Sequence, residues 1–297
     1  MAQINKDVAY KKIHTYILQM PSLSTTAAKI MQICNTSMPS PNDLNRVISL
    51  DPVLTGKVLQ LINSAYYSRR SNVTSLTRAI IILGINTIKN IVLSSAIVKC
   101  INSSPGGDAV DMDFFWTHSI HVGVTAKLIA KEMGIPPTEQ ELFFLAGLMH
   151  DLGKVPLIQQ FPKIYAQISK ISIDKKTDVC LIENALLGFT HCTSGKMIAE
   201  KWQLGDSIKE ALAFHHDTRN KNKANGEMAP IIELADIYSN ACKADNQPVA
   251  WEKLLGTMSP AFMPLVEKTG ISLETLAEFN PIISEEINNA KTFLNLN

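Results

Sequence analysis

Apolar residues recur along this chain at intervals of three and four, the spacing of one helix face, and strand-like alternation between hairpin turns is nearly absent. The pattern predicts an all-α protein. In SPNDLNRVISLDPVLTGKVLQLINSAYY, Ser40 or Asn42 is placed to cap one helix, and Asp51 before Pro52 is an N-cap with proline at the first helical position. Leu44, Val47 and Ile48, then Leu54, Val58, Leu61 and Ile62, give these two helices buried stripes. In SLTRAIIILGINTIKNIVLSSAIV, Ser75 starts a helix, Gly84 ends it and Asn86 begins the next.

Two helices around a glycine turn also outline a DNA-binding helix-turn-helix. A recognition helix presents polar and basic side chains to base edges, and NTIKNIVLSSAIV offers mainly Lys89 and Asn90, so core packing is the preferred reading. SSPGGDAVD, residues 103–111, is the best linker, dividing an N-terminal helical subdomain (1–104) from a second helical domain (109–297). Beyond it, FFWTHSIHVGVTAKLIAKEMG reads as a long helix ending near Gly134. ELFFLAGLMHDLG, DVCLIENALLGFTHCTSGKMIAEKW, SIKEALAFHHD and APIIELADIYSNAC read as further helical stretches. TRNKNKANGE, residues 218–227, reads as a polar loop, and the chain from Trp251 onward as short helices forming a C-terminal extension without a chemical motif.

Composition narrows the class without naming a chemistry. With 297 residues, 46% hydrophobic and 19% charged, the chain is long enough for one large core or two ordinary ones. A net charge of +1 supplies no basic face for a polyanion, so neither nucleic acid nor a membrane surface is expected as a partner. Five cysteines, Cys34, Cys100, Cys180, Cys192 and Cys242, form no C-x-x-C pair and fit a reducing compartment. The opening MAQINKDVAYKK has no apolar signal core, and no apolar run reaches membrane-spanning length; the expected location is the cytoplasm.

The candidate chemistry lies after the linker. There the sequence holds six of its seven histidines, all but His14, and sets His118, His150 with Asp151, His191, His215 with His216, and Asp236 in apolar surroundings: WTHSI, LMHDLG, GFTHCTSG, AFHHD and ELADIY. A single histidine on such a face is more often a hydrogen-bonded core residue, and Asp151 alone reads as a helix-end cap before Gly153. The clustering favours a joint metal site. Neighbours in a helix point about 100° apart, so an adjacent His-Asp pair can direct imidazole at one ion while the carboxylate reaches the same ion or bridges to a second. Nitrogen and carboxylate donors suit iron, manganese or zinc better than calcium or magnesium. Lys154 is placed to neutralise a phosphate near the site, or to make an ordinary ion pair. His121 reads as a residue that orients a ligand or simply packs.

The series H…HD…D on successive helices resembles the HD superfamily of metal-dependent phosphohydrolases, and residues 15–240 resemble its HDOD branch, the HD-related output domain. The resemblance is carried by MPSLSTTAAKIMQICN, LDPVLTGKVLQLINSAYY, SLTRAIIILGINTIKNIVLS, WTHS, FLAGLMHDLGK and AFHH. It implies an HD-like fold for the second domain. By resemblance to HD enzymes, His118, His150, Asp151 and Asp236 would ligate a first metal. By resemblance to the dinuclear HD-GYP phosphodiesterases, His191, His215 and His216 would serve a second, with Asp151 bridging. The cofactor so implied is one or two divalent ions, iron first, manganese or zinc as alternatives. Many HDOD proteins act as signalling modules without an assigned activity, which implies a protein signalling partner and, beside it, a phosphate-containing ligand. No Gly-Tyr-Pro element follows His216-Asp217, so cyclic diguanylate hydrolysis is not implied, and Phe114 stands where some HD-GYP proteins supply a glutamate to a further metal.

Three readings result. One is a cytoplasmic regulatory module with a metal in the site; another is an active metal-dependent phosphohydrolase using Asp151 and Lys154; the third is an oxygen-using di-iron enzyme. No glycine-rich phosphate cradle or serine nucleophile elbow is present, so hydrolysis here would depend on metals.

Overall fold

The computed structural model describes residues 5–63, 73–102, 111–217, 226–242 and 261–294, and every described element is a helix. Local chemistry sets the starts. Asn5 caps α1 (Lys6–Gln19), Ser24 caps α2 (Thr25–Cys34), and Ser40 with Pro41 opens α3 (Pro41–Ile48). Asp51 and Pro52 open α4 (Pro52–Ile62), where the Asp51 carboxylate accepts from the Leu54 amide. Ser75 caps α5 (Leu76–Leu83), and Gly84, at φ +85, turns the chain into α6 (Ile85–Asn102). Asn90, one of the polar residues a recognition helix would need to present, is buried in α6.

After the segment 103–110, on which the expected linker falls and which lies outside the described residues, come α7 (Met112–Glu132) and α8 (Pro137–Met149). They are followed by α9 (Lys154–Gln160), α10 (Pro162–Lys175), α11 (Val179–Leu187), α12 (His191–Lys201), α13 (Asp206–Phe214) and α14 (Met228–Cys242). The expected polar loop 218–227 falls largely outside the described residues. The last described elements are α15 (Phe262–Thr269) and α16 (Leu273–Leu294), the latter a 22-residue helix carrying Pro281 where a set of short helices was expected.

Two further expectations are corrected. DVCLIENALLGFTHCTSGKMIAEKW divides into α11 and α12, because Gly188 at φ +86 closes the first and the Thr190 hydroxyl caps the second. LMHDLG does not lie within one helix: α8 stops at Met149, and His150 to Gly153 form the turn into α9.

The buried residues form one continuous core from Ala9 to Leu294. At its centre α7 and α8 cross where Gly123 meets Gly147. A Cβ on Gly147 would stand 2.6 Å from the Gly123 Cα, so the close crossing depends on both residues lacking one. α14 and α16 pack on α7, α6 packs on α8, and α1 packs on α9 and α12, with Lys12 donating to the Gln160 carbonyl at the end of α9 and Lys201 at the end of α12 donating to the Leu18 carbonyl. The chain after α1 is tied down by the Pro21 carbonyl, which accepts from Trp202 Nε1 at 3.1 Å. No single helix among the described residues is long and apolar enough to cross a membrane.

Candidate metal centre

Helix ends build the site. His150 caps the C-terminus of α8, Asp151 lies in the turn that follows, Lys154 opens α9, His191 opens α12 and His215 caps α13. His118 and Asp236 come instead from the middles of α7 and α14, which pack together. Gly153 makes the junction possible: a Cβ there would collide with the His191 carbonyl and stand 2.6 Å from the Gly195 amide nitrogen. The Ser194 hydroxyl donates to the Gly153 carbonyl at 2.9 Å and locks the turn onto α12. A glycine at a helix junction therefore lets Asp151 approach His191.

Asp151 divides its two oxygens between two groups of imidazoles. Oδ2 lies 3.3 Å from His150 Nε2 and 3.7 Å from His118 Nε2. Asp236 Oδ1 completes that side, 3.0 Å from His118 Nε2 and 3.7 Å from His150 Nε2. Oδ1 of Asp151 lies 3.4 Å from His191 Nε2 and 3.8 Å from His215 Nε2, which are themselves 3.2 Å apart. His216 joins this second side, in a group with Asp151, His191 and His215 whose ligand atoms all lie within 4.8 Å of one another.

The opposite ring nitrogens are held by the protein. His150 Nδ1 donates to the Gly147 carbonyl at 2.7 Å and His215 Nδ1 to the Ala211 carbonyl at 2.8 Å, which leaves each Nε2 lone pair directed at the centre. His118 Nδ1 meets the Ser239 hydroxyl at 3.3 Å. His191 is held most firmly: its backbone N–H and its Nδ1 both donate to Glu183 Oε2 at 2.8 Å, and Tyr165 donates to the other Glu183 oxygen at 3.0 Å.

Electrostatics favour ionised carboxylates here. Burial alone would raise the pKa of Asp151, but His150 and Lys154 outweigh it and hold the carboxyl well below the usual range. Asp236 is likewise held well below it by His118 and His150 against the effect of burial. Burial opposes protonation of His191, yet Glu183 and Cys192 push its pKa up to about 10. Lys154 Nζ sits 2.5 Å from Asp151 Oδ2, and that pairing raises its pKa despite desolvation.

These residues fit a metal. Asp151 Oδ1, His150 Nε2 and His216 Nε2 are buried with no hydrogen-bond partner among the described residues, a costly arrangement unless an electrophile is shared among them. A set of imidazole nitrogens around carboxylate oxygens is the donor chemistry of iron, manganese and zinc.

The HDOD domain model matches residues 20–218, about two thirds of the chain. The chain belongs to the HDOD family. Among solved structures, a candidate phosphohydrolase of Shewanella amazonensis is similar at 22% identity, with a TM-score of 0.71 and coverage of 95% of this chain and 98% of the other. An HDOD domain protein of unknown function from Geobacter sulfurreducens gives the same TM-score of 0.71 and 22% identity, over 97% and 99% of the two chains. A candidate signal transduction protein of Marinobacter aquaeolei gives 0.68 at 20% identity, over 99% of this chain and 67% of the other. These likenesses establish the shared fold. An uncharacterised protein of Treponema pallidum is 22% identical over 216 residues, and this chain spans 40% of that relative's length.

In this HDOD chain every residue singled out from the sequence as a ligand lies at or beside the centre, although His216 turns Nδ1 toward Asp178 Oδ2, 3.4 Å away. His121 stands apart, its ring 6.5 Å from that of Tyr238. Sequence reasoning missed Glu183, Tyr165 and Ser239. Glu183 sits in LIENALL, where it looks like the polar side of an amphipathic helix, and only the fold turns it inward against His191.

Proposed function

We propose that this HDOD protein is a cytoplasmic regulatory module built around a bound divalent metal, with Asp151 shared between two ion positions. The observation that carries the reading is the division of one buried carboxylate between two sets of imidazole Nε2 atoms. On one side, His118, His150 and Asp236 surround Oδ2; on the other, His191 and His215 face Oδ1, with His216 beside them. The side chains of His150, His191 and His215 are 0% exposed and that of Asp151 3%, an enclosure that suits a resident ion and small ligands better than a bulky substrate. Iron is the first candidate, with manganese and zinc after it. The output would be read by a protein partner.

Metal-dependent phosphohydrolysis is the second reading, favoured by the way exposure rises on one side of the centre. Asp236 is 12% exposed and Lys154 23%, so a phosphate approaching there would meet a cation beside the Asp151 carboxylate. A bound ion would supply Lewis-acid activation of water. The chain's own part is narrower: His150 and His215 are held in the tautomer that offers Nε2, Asp151 stays ionised, and Lys154 keeps its proton.

Elemental mass spectrometry on untagged protein, beside Asp151→Ala, tests both readings. One to two equivalents of iron, manganese or zinc, lost in the variant, is the expected result. Protein that takes up no metal even after anaerobic reconstitution sinks the proposal. Metal-dependent turnover of a phosphomonoester or phosphodiester panel, abolished in Asp151→Ala, would replace the regulatory reading with the enzymatic one. The phosphate-containing ligand expected from the sequence is tested by the same panel.

A further inference from the structure

Behind His191, on the side away from Asp151, the starts of α11 and α12 meet. Each helix carries a cysteine at its second residue, Cys180 after Val179 and Cys192 after His191. The two Sγ atoms are 3.9 Å apart, in van der Waals contact, and both cysteines are free thiols. Neither belongs to the Asp151 carboxylate's surroundings, and neither is used by the function proposed above.

We propose that Cys180 and Cys192 form a reversible dithiol–disulfide pair that exchanges with small-molecule disulfides. Three features place the reaction. The sulfurs need to close from contact to about 2.05 Å, a movement that χ1 rotation and a slight shift of two helix starts can supply. Cys180 is half-buried and Cys192 buried, so entry falls to Cys180 and resolution to Cys192. Both sulfurs sit in the first turn of a helix whose start is capped, the Cys180 N–H by Asp178 and the His191 N–H by Glu183, so the two thiols are presented to each other on ordered backbone.

The step balances without a further reagent. The Cys180 sulfur, giving up its proton to solvent, attacks one sulfur of a small disulfide such as oxidised glutathione, whose S–S bond breaks as one thiolate leaves. Cys192, giving up its proton to solvent, then attacks the Cys180 sulfur of the mixed disulfide, and the second thiolate leaves. Two protein thiols are oxidised by two electrons and one small disulfide is reduced to two thiols. A dithiol reductant attacking the half-buried Cys180 runs the sequence backwards.

The pair needs no metal at Asp151. Its consequence for the centre does rest on that reading: Cys192 follows His191 directly, and Glu183, which holds His191, is on the same helix as Cys180. Drawing the two helix starts together would shift His191 against Asp151, so oxidised protein should hold its second ion less tightly.

Full-length protein equilibrated in glutathione buffers of increasing oxidation, then alkylated, tests the chemistry independently of any metal. Trypsin leaves both cysteines on one peptide, residues 177–196, with no Lys or Arg between them, and cleavage after Glu183 separates them. The expected result is an unalkylated peptide lighter by two hydrogens, whose halves stay joined after Glu183 cleavage until dithiothreitol is added. Cys192→Ser should trap glutathione on Cys180, and Cys180→Ser should leave Cys192 a thiol. Wild-type protein in which both residues remain alkylatable in fully oxidised buffer, or which accumulates glutathione on Cys180 without passing it to Cys192, overturns the proposal. A disulfide that forms in protein lacking metal leaves the pair standing while the metal reading fails; metal without a disulfide does the reverse.

Discussion

Two hydrogen bonds from one residue to a single carboxylate oxygen fix the backbone and ring of His191 together. Glu183→Gln weakens both and removes the charge that keeps Nδ1–H in place, so metal affinity should fall by about 10- to 100-fold with the helical fold retained, as for other groups that orient a ligand. Isothermal titration with the metal beside circular dichroism would check this, and unchanged affinity would count against any ligand role for His191. The same contact sets a pH dependence. In metal-free protein His191 keeps its proton up to about 10 against an ordinary 6.5, so its contribution to stability is whole below 6.5 and is lost as pH rises through 10. A metal requires the neutral ring and so gains on the proton over that range. Melting temperatures of chelated and metal-loaded protein should therefore diverge as pH rises from 6.5 toward 10, in favour of the loaded form. His150, Asp151 and Asp236 were legible as candidates because an apolar context gives a polar side chain no other reason to be there. Glu183 was not, since a glutamate on a helix with one apolar face normally faces water, and which face is covered is decided by packing remote in sequence.

At the scale of the element, two pairs of helices meet through glycine. Gly147→Ala puts a methyl group against the Gly123 backbone and must push α8 from α7, parting His150 from His118. A loss of roughly 1–3 kcal/mol in denaturant unfolding, with weakened metal binding, is expected. Gly56, inside α4, is the contrast: a Cβ there meets nothing within 4 Å among the described residues, so Gly56→Ala should stabilise by up to about 1 kcal/mol and leave metal binding alone. Caps and turn glycines made most helix starts readable, as at Ser40, Asp51 and Ser75. The end of α8 was not, because LMHDLGKVPL carries apolar spacing straight through the turn; the helix breaks there where the approach of α12 to Gly153 demands it, a constraint no local window contains.

For the molecule as a whole, the buried side chains do not divide at the segment that separates the two halves in sequence. α2 packs on α6, α6 packs on α8, and α1 packs on α9 and α12, so the N-terminal helices share one core with the helices that carry the centre. Thermal unfolding by calorimetry should therefore show one cooperative transition, with calorimetric and van't Hoff enthalpies in agreement. Two resolved transitions would mean that the halves are stable apart. Composition and periodicity were enough for the fold class, whereas the packing of α2 on α6 and of α6 on α8 brings together residues that no local window contains.

Because His150, Lys154, His191 and His215 stand at the tips of α8, α9, α12 and α13, the centre is also a hub from which rigid rods radiate. α8 has 13 residues and so extends about 20 Å from it. A tilt of only a few degrees at the hub becomes roughly 1 Å of travel at the far tip of a rod that long. That tip carries Thr138, whose methyl group faces Gly84 at the bend between α5 and α6. A tilt set off by a few buried atoms would thus be felt about 20 Å away, at the bend between α5 and α6 among the N-terminal helices.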